Sequence, residues 1–342
     1  MSHPTNRLTA LMVALAAFAA ACADDSSGDR SVTMLTHDSF AVSPEVLDEF
    51  TDTTGIEVEL LASGDAGQMV SQSILTAGDP LADVMFGIDT TFLQRGLDAG
   101  LFEAYESPAL GDVPDEFELD PEHRVTPVDF GDVCINYWTA ALPGAAPTSL
   151  EDLTAPEYAG ALVVQNPETS SPGLAFLLAT IAGTDDWEGF WADLVANDVT
   201  VTSGWEDAYG GEFIAGGGDR SLVVSYGSSP VAEVLFAESP ADEPPTGVLV
   251  DSFFRQVEFA GVLAGTDHGD EARELIDFLL SPTFQNDVPL SMFVFPVAES
   301  ATLPPEFAEH ATIADDPLTL SPLEIETSRD AWTGRWVEIV LG

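Results

Sequence analysis

Residues 32–61 read VTMLTHDSFAVSPEVLDEFTDTTGIEVELL, and both ends of this segment are apolar runs with the length and β-branched content of buried strands. Between them, Ser43 and Pro44 are preferred residues for the cap and the first turn of a helix, and Gly55 is typical of a helix end. The segment therefore predicts a strand, a helix and a second strand that lies parallel to the first.

The same alternation continues along the chain. A strand at 83–88 and a helix at 92–99 extend this first series. A second series of strands and helices is predicted at 162–165, from 173, at 187–195, 199–202, 205–213 and 221–226. Two long apolar segments, 126–138 and 248–263, interrupt the rhythm, and we interpret them as crossings between two lobes. The sequence thus predicts a two-lobed α/β protein that binds its ligand in the cleft where strands end.

The two crossings also predict where each lobe begins and ends. We divide the chain into a signal peptide at 1–21, a polar tether at 22–30, a first part of lobe I at 31–126, lobe II at 127–254, a return to lobe I at 255–296, and a C-terminal helical segment at 297–342 that packs on the lobes. In the last segment, Trp332 and Trp336 lie one helical turn apart, which favours packing in a core.

The composition excludes several classes of function. The 342 residues include 59 Asp and Glu, nine Arg and no Lys, so the formal net charge is −50. Without lysine the chain has neither a phosphate-binding GxxxxGK loop nor a Schiff-base lysine. Such a charge repels nucleic acid and anionic lipid surfaces, whereas it attracts a cationic solute. The hydrophobic content of 45 % nevertheless predicts a folded protein.

The N-terminus predicts the compartment. Residues 8–21 (LTALMVALAAFAAA) form an apolar run that follows Arg7 and ends in small residues, as in a secretory signal, and the run is short for a transmembrane span. Residues 19–22 (AAAC) resemble a lipoprotein cleavage box. We therefore expect an exported protein, lipid-anchored through Cys22 to the outer face of the cell membrane or periplasmic. Cys134, in the apolar run VCINYW, is expected to be a buried free thiol.

Seven segments carry a resemblance to a known family, in the family's order along the chain: 35–41 (LTHDSFA), 82–89 (ADVMFGID), 126–131 (TPVDFG), 165–174 (QNPETSSPGL), 199–209 (VTVTSGWEDAY), 222–230 (LVVSYGSSP) and 278–286 (FLLSPTFQN). Together they resemble the bacterial thiamine-binding periplasmic proteins. The resemblance implies a type II periplasmic-binding-protein fold and a solute-binding subunit of an ABC importer, with no enzymatic activity and no cofactor. Its partners would be thiamine or thiamine phosphate and a membrane permease, and we expect a monomer.

The resemblance also implies which residues line the ligand. A first set of ligand-binding residues comprises Asp65, Ala66, Ser170, Ser171, Trp205, Tyr226, Gly227, Ser228, Ser229 and Pro230. A second set adds His37, Asp38, Asp89 and Phe293, and no metal ligand is expected. A flat organic cation is held well by aromatic faces and carboxylates, and a hydroxyl or phosphate end suits serines at helix starts.

Three positions depart from the family's pattern. His37 stands where an aromatic residue is frequent, the region around Ala232 lacks another expected aromatic, and Phe293 stands where a larger aromatic is usual. Thiamine, its phosphates and a related pyrimidine therefore stay open as ligands.

These residues leave two other binding functions and one enzymatic function as alternatives. A polyamine binder needs aromatics and carboxylates as well, so this alternative stays open. A ferric-ion binder of similar architecture uses adjacent tyrosines, and the five tyrosines of this chain include no adjacent pair. The sequence has neither an HExxH nor a GxSxG motif, which leaves a carboxylate-dependent hydrolase as the alternative among enzymes.

Overall fold

The computed structural model describes residues 30–237 and 243–342, so the predicted signal peptide and Cys22 lie outside the described residues. The strands are β1 (Arg30–Thr36), β2 (Ile56–Ala62), β3 (Val84–Asp89), β4 (Thr126–Trp138), β5 (Leu162–Gln165), β6 (Thr200–Thr202), β7 (Leu222–Tyr226), β8 (Thr246–Val262) and β9 (Phe295–Pro296). The helices are α1 (Pro44–Thr54), α2 (Ala66–Leu75), α3 (Leu93–Asp98), α4 (Ser171–Gly183), α5 (Trp187–Ala196), α6 (Trp205–Asp207), α7 (Ser229–Leu235), α8 (Gly269–Leu279), α9 (Pro282–Ser291), α10 (Pro305–His310) and α11 (Pro322–Val340). Within these two ranges, no helix combines the length and the apolar character that a bilayer span requires.

The strands form one sheet in the order β2-β1-β3-β8-β4-β7-β5-β6, and β9 pairs with β4. β1 is parallel to β2 and β3, and β5 is parallel to β6 and β7. The long strands β8 and β4 lie between these two parallel groups and are antiparallel to each other. β8 also pairs antiparallel with β3, and β4 pairs antiparallel with β7. The predicted crossings at 126–138 and 248–263 correspond to these central strands. The lobe boundaries drawn from them stay a prediction.

The strand–helix–strand unit predicted from residues 32–61 is confirmed. Ser43 precedes α1 and Pro44 is its first residue. Gly55 has a φ of 71°, in the left-handed region that suits glycine, and its N–H donates to the Thr51 carbonyl. Because Gly55 ends the helix, β2 begins at the next residue and pairs parallel with β1.

The prediction of one regular helix at 205–213 is wrong. α6 ends after one turn, and Ala208–Glu212 continue as a π-helical turn. Two consecutive glycines in this turn lower its helix propensity. The wider turn places the Tyr209 ring on the Trp205 ring, with centroids 4.9 Å apart and an interplanar angle of 16°. Such turns are frequent at functional sites, and this one shapes an aromatic pair.

Apolar side chains cover both faces of the sheet. On one face Met34 of β1 and Phe86 of β3 pack with Phe50 of α1. On the opposite face a larger cluster includes α4, α5 and α11, where Trp191 and Trp336 meet edge to face with centroids 5.4 Å apart. The core packing expected for Trp336 is thus confirmed, and it attaches the C-terminal helix to α5.

Cys134 is a buried free thiol on β4, as predicted. Burial raises the pKa of this thiol well above its ordinary value, and the nearby Asp132 carboxylate raises the pKa further. The sulfur therefore stays protonated and packs as a small apolar group.

Candidate functional site

A cavity of about 270 Å³ opens at the edge of the sheet where several strands end. His37 directly follows β1, Asp89 ends β3 and Tyr226 ends β7, and all three line this cavity. The starts of α2, α4, α6 and α7 border the same space. Open α/β sheets bind ligands at this position. The volume lies near the lower end of the roughly 300–1,000 Å³ that is typical of small-molecule pockets.

Nine residues of the two predicted sets line the cavity: His37, Asp65, Ala66, Asp89, Ser171, Trp205, Tyr226, Ser229 and Phe293. Ala232, which stands near a missing family aromatic, lines it as well. These residues come from segments far apart in the chain, and the fold brings them together. Their contact with a ligand stays a prediction.

Two predicted residues have other surroundings. Asp38 is exposed in the turn after β1, outside the cavity lining. Ser170 is fully buried, and its Oγ accepts a hydrogen bond of 3.4 Å from the Gly173 N–H at the start of α4. Ser170 therefore caps a helix beside the cavity, while Ser171 faces the cavity.

Three further predicted residues surround Ser229 without lining the cavity. A Cβ added to Gly227 would collide with the Thr312 carbonyl oxygen, so glycine permits a close approach of two backbones. Ser228 Oγ donates a hydrogen bond to the Phe293 carbonyl. Pro230 is buried in the first turn of α7. These residues fix α7 in place.

Phe293 has a backbone conformation that is uncommon for a residue with a side chain. Its φ is 56°, in the left-handed region, at a cost of roughly 1–3 kcal/mol. Its carbonyl accepts the hydrogen bond from Ser228 Oγ, and its ring packs edge to face on Phe236 with centroids 5.7 Å apart. These contacts hold the Phe293 ring at the cavity wall.

Asp65 joins three segments of the chain at the cavity. Its Oδ1 accepts hydrogen bonds from the N–H groups of Ala66 at 2.6 Å and Ser171 at 3.1 Å. Its Oδ2 accepts one from the Trp205 N–H at 3.1 Å. These donors are the first residues of α2, α4 and α6, where unpaired N–H groups favour an anion. Burial raises the pKa of the Asp65 carboxyl, although the hydrogen bonds from Ser171 and Trp205 oppose the shift.

Two aromatic side chains at the cavity pack closely against their neighbours. Trp205 Nε1 donates a hydrogen bond of 3.0 Å to Ser225 Oγ, and the ring stacks on Tyr209. Tyr226 lies close over Gly131, where an added Cβ would lie 2.9 Å from the Tyr226 Cδ1 atom. The glycine thus allows the Tyr226 ring to approach β4. Both rings offer flat surfaces to a ligand.

Three carboxyl groups lie side by side on adjacent strands, and two of them were absent from the predicted sets. Asp89 of β3 pairs with Glu258 of β8, and Glu258 pairs with Asp129 of β4. All three line the cavity, and we call them the carboxyl row. Asp89 and Asp129 are only 1 % and 2 % exposed. The signal that could have identified Asp129 and Glu258 is an acidic residue inside a long apolar strand.

Burial and neighbouring carboxyl groups shift the pKa values of residues in and beside the carboxyl row. Burial raises the pKa of Asp89 to about 6, even though the Gln256 amide donates a hydrogen bond to it. Burial raises the pKa of Asp129 well above its ordinary value, and the adjacent Glu258 raises it further. His37 Nε2 lies 3.3 Å from Glu258 Oε1. Burial lowers the pKa of His37, but Glu258, Asp65 and Asp38 together raise it above its ordinary value.

The lining suits a flat organic cation. Among the described residues that line the cavity there is no arginine, and His37 is the one basic side chain. In residues 30–237 and 243–342, no cluster of three or more His, Cys, Asp or Glu is arranged to hold a metal ion. Aromatic faces beside carboxylates attract a cation through both the ring quadrupole and the negative charge.

Replacing Asp89 with asparagine is expected to remove a pH-dependent loss of stability. The pKa of Asp89 is raised from 3.8 to about 6 in the folded protein, so as the pH rises this carboxyl ionises in the unfolded chain before it ionises in the folded one. The free energy of unfolding of the wild type therefore falls as the pH rises from about 4 to about 6, by roughly 3 kcal/mol from this group. Relative to the wild type, Asp89→Asn should gain roughly this amount between pH 4 and pH 7.

Urea denaturation at both pH values measures this difference. The exposed Asp48 of α1 offers a matched control, because Asp48→Asn removes the same charge outside the cavity. A wild type and an Asp89→Asn variant with the same pH dependence would contradict the expectation.

Comparison with known proteins identifies the family. The model of the bacterial extracellular solute-binding proteins matches residues 79–315. The chain belongs to this family. The thiamine-binding periplasmic protein of Escherichia coli (strain K12) is 32 % identical to this solute-binding protein over 318 residues, which cover 90 % of this chain and 93 % of that one. The resemblance inferred from the sequence segments is thus confirmed.

Solved structures agree with this assignment. A periplasmic thiamin binding protein superposes on this solute-binding protein with a TM-score of 0.80 and 29 % identity, over 91 % of this chain and 96 % of that chain. Iron-bound HitA from Pseudomonas aeruginosa superposes with a TM-score of 0.72 and 20 % identity, over 91 % and 99 % of the two chains, and this likeness concerns the fold alone. The predicted type II periplasmic-binding-protein fold is confirmed.

Proposed function

We propose that this solute-binding protein captures thiamine or a thiamine phosphate in the cavity and delivers it to the permease of an ABC importer. The observation that carries the proposal is the combination of the Trp205 ring and the carboxyl row in one cavity. The similarity to thiamine-binding proteins over most of the chain supports the choice of ligand. The protein performs no chemistry on the ligand, which it binds and releases unchanged.

Each part of thiamine has a suitable partner in the cavity. The thiazolium and the aminopyrimidine are flat rings, for which Trp205 and Tyr226 offer aromatic faces. The positive charge of the thiazolium suits the carboxyl row. The hydroxyethyl end, free or phosphorylated, suits Ser171 and Ser229 at the starts of α4 and α7.

We also propose that the protein is exported and works as a monomer tethered to the membrane by a lipid on Cys22. The apolar run at 8–21 and the AAAC segment support export and lipidation. The periplasmic relatives support the same compartment. The tether would keep the protein close to its permease at the membrane surface.

Calorimetry tests the proposed function directly. The purified protein is titrated with thiamine, thiamine monophosphate, spermidine and ferric citrate, at low and at high salt because the chain is so acidic. We expect binding of one thiamine or thiamine monophosphate per chain. Binding of spermidine alone would establish a polyamine binder instead, and binding of ferric citrate alone a ferric-ion binder. Absence of heat with both thiamine species at either salt concentration would reject the proposal.

The variant Trp205→Ala is expected to weaken thiamine binding by about 2 kcal/mol, roughly 30-fold, because the cation loses its aromatic face. Calorimetry measures the dissociation constant. Trp332→Ala, on α11 and outside the cavity lining, is the matched control and should keep the wild-type affinity. A folded Trp205→Ala protein with unchanged affinity would show that the ring does not contact the ligand.

A further inference from the structure

We propose that Asp129 and Glu258 form the subsite for the positive charge of the ligand, and that a proton shared between them leaves when an organic cation binds. This inference rests on the proposed function and assigns the cation to two residues outside the predicted sets. Asp89 extends the subsite on the neighbouring strand. Binding of the cation is then coupled to the release of one proton.

The register of the sheet creates this subsite. β8 lies between β3 and β4, so the Glu258 side chain has Asp89 on one side and Asp129 on the other. Cross-strand pairs of like charge are unfavourable, and their burial makes them more so. Asp129 is buried, whereas the Glu258 side chain is 19 % exposed and has His37 on one side. Two carboxyl groups in this arrangement favour a proton between them or a further cation beside them.

A second, independent observation points to a ligand at this place. Asp129 is 98 % buried, lines the cavity, and its Oδ2 receives no hydrogen bond from an N–H or hydroxyl group of the described residues. Gln256, beside it in the cavity, likewise has an unpartnered Oε1. Buried polar atoms without partners are costly. The shared proton can partner Asp129 in the free protein, and a bound cation takes its place when the proton leaves. The Gln256 Oε1 atom has no such proton, which indicates that a bound group completes its contacts.

Other titratable groups that line the cavity come from four elements. His37 from the turn after β1 lies 3.3 Å from Glu258, Asp65 precedes α2, Glu206 lies on α6 and Tyr226 ends β7. Burial and the surrounding carboxylates raise the pKa of Tyr226 well above its ordinary value, so it stays neutral. His37 is thus the one described lining side chain that can offset the carboxylates, and it cannot neutralise all of them.

The coupling follows from charge balance. Without ligand, one carboxyl of the Asp129–Glu258 pair keeps its proton, since burial and the neighbouring charge both favour the neutral form. A bound cation stabilises two carboxylates, so the O–H bond breaks and the proton passes to solvent. The affinity for a permanent cation therefore rises with pH until the pair is ionised in the free protein, by up to about tenfold per pH unit.

Calorimetry with thiamine in phosphate and in Tris buffer at the same pH counts the released protons, because the two buffers differ in ionisation enthalpy. For the wild type at pH 7.5 we expect net proton release on thiamine binding, of up to one proton per thiamine, and an affinity that increases from pH 6 to pH 8. For Asp129→Asn we expect little proton release, a flatter pH profile, and roughly tenfold weaker binding at pH 8.5. The difference between the two proteins cancels protons exchanged by free thiamine. Proton release that persists unchanged in Asp129→Asn would assign the proton to another group, such as His37, and would overturn the inference.

Asp251→Asn is the matched control, since Asp251 is exposed on the same strand as Glu258. It should retain the proton release and the pH profile of the wild type. Glu258→Gln gives the same test from the other member of the pair if Asp129→Asn fails to fold. Thiamine binding without proton release, and with the same pH profile in the carboxyl variants, would overturn this inference alone. Absence of thiamine binding to the wild type would overturn the proposed function with it.

Discussion

Replacement of Asp65 by alanine is expected to weaken thiamine binding by about 100-fold and to lower the free energy of unfolding by roughly 3 kcal/mol. Asp65 is the common acceptor for the first N–H groups of α2, α4 and α6. Hydrogen bonds to a charged acceptor contribute roughly 1.5–3 kcal/mol each, and water in the open cavity can replace part of them. Without the carboxylate, Ser171 and Trp205 lose their fixed positions at the cavity.

Two variants separate this role from a general effect of charge. Asp65→Asn keeps an acceptor oxygen and should fall between the wild type and Asp65→Ala in both measurements. Asp48→Ala removes an exposed carboxylate of α1 and should change neither. Calorimetry and urea denaturation give the two quantities. A stable Asp65→Ala protein with wild-type affinity would show that the three helix starts need no common acceptor.

Replacement of Trp336 by alanine is expected to lower the free energy of unfolding by about 3–5 kcal/mol, because it leaves a large cavity in the core. Trp336 is fully buried and packs edge to face on Trp191, which is 1 % exposed. This contact joins α11 to α5. Loss of the indole therefore removes the apolar surface that Trp336 buries and also the packing contact that it makes with Trp191.

The neighbouring tryptophan provides the control. Trp332 lies one turn earlier on α11 and is only partly buried, so Trp332→Ala should cost markedly less. Trp336→Phe should restore part of the loss by filling the cavity. Urea denaturation measures all three, and the folded variants should bind thiamine normally because Trp336 lies outside the cavity lining. A loss below roughly 1 kcal/mol for Trp336→Ala would contradict its place in the core.

Much of the secondary structure could be predicted because its signals are local. Ser43 and Pro44 begin α1 and Gly55 ends it, as the residue types require. The strand at 162–165 was predicted with the bounds that β5 has in the structure. The prediction of a regular helix at 205–213 is wrong because two consecutive glycines favour a wider turn, and Tyr209 stacks on Trp205 within that turn. That stacking is a packing effect, which the apolar pattern alone does not indicate.

The candidate site was predicted in part. Asp65, Ser171 and Trp205 lie in segments that resemble the family, and the structure brings them to one cavity. Asp129 and Glu258 were missed because each occupies one position in a long apolar strand that was interpreted as a crossing. With 59 acidic residues in the chain, a single carboxylate carries little information until its neighbours are known.

Residue types in short segments, together with the composition, are enough to predict the α/β alternation, the exclusion of lysine chemistry and the family. Folding is needed to place Asp89, Glu258 and Asp129 side by side, and to make Asp65 the shared acceptor of three helix starts. The physical reason is that sheet register and burial join residues more than a hundred positions apart. Their electrostatic coupling arises only once that register has excluded water from between them.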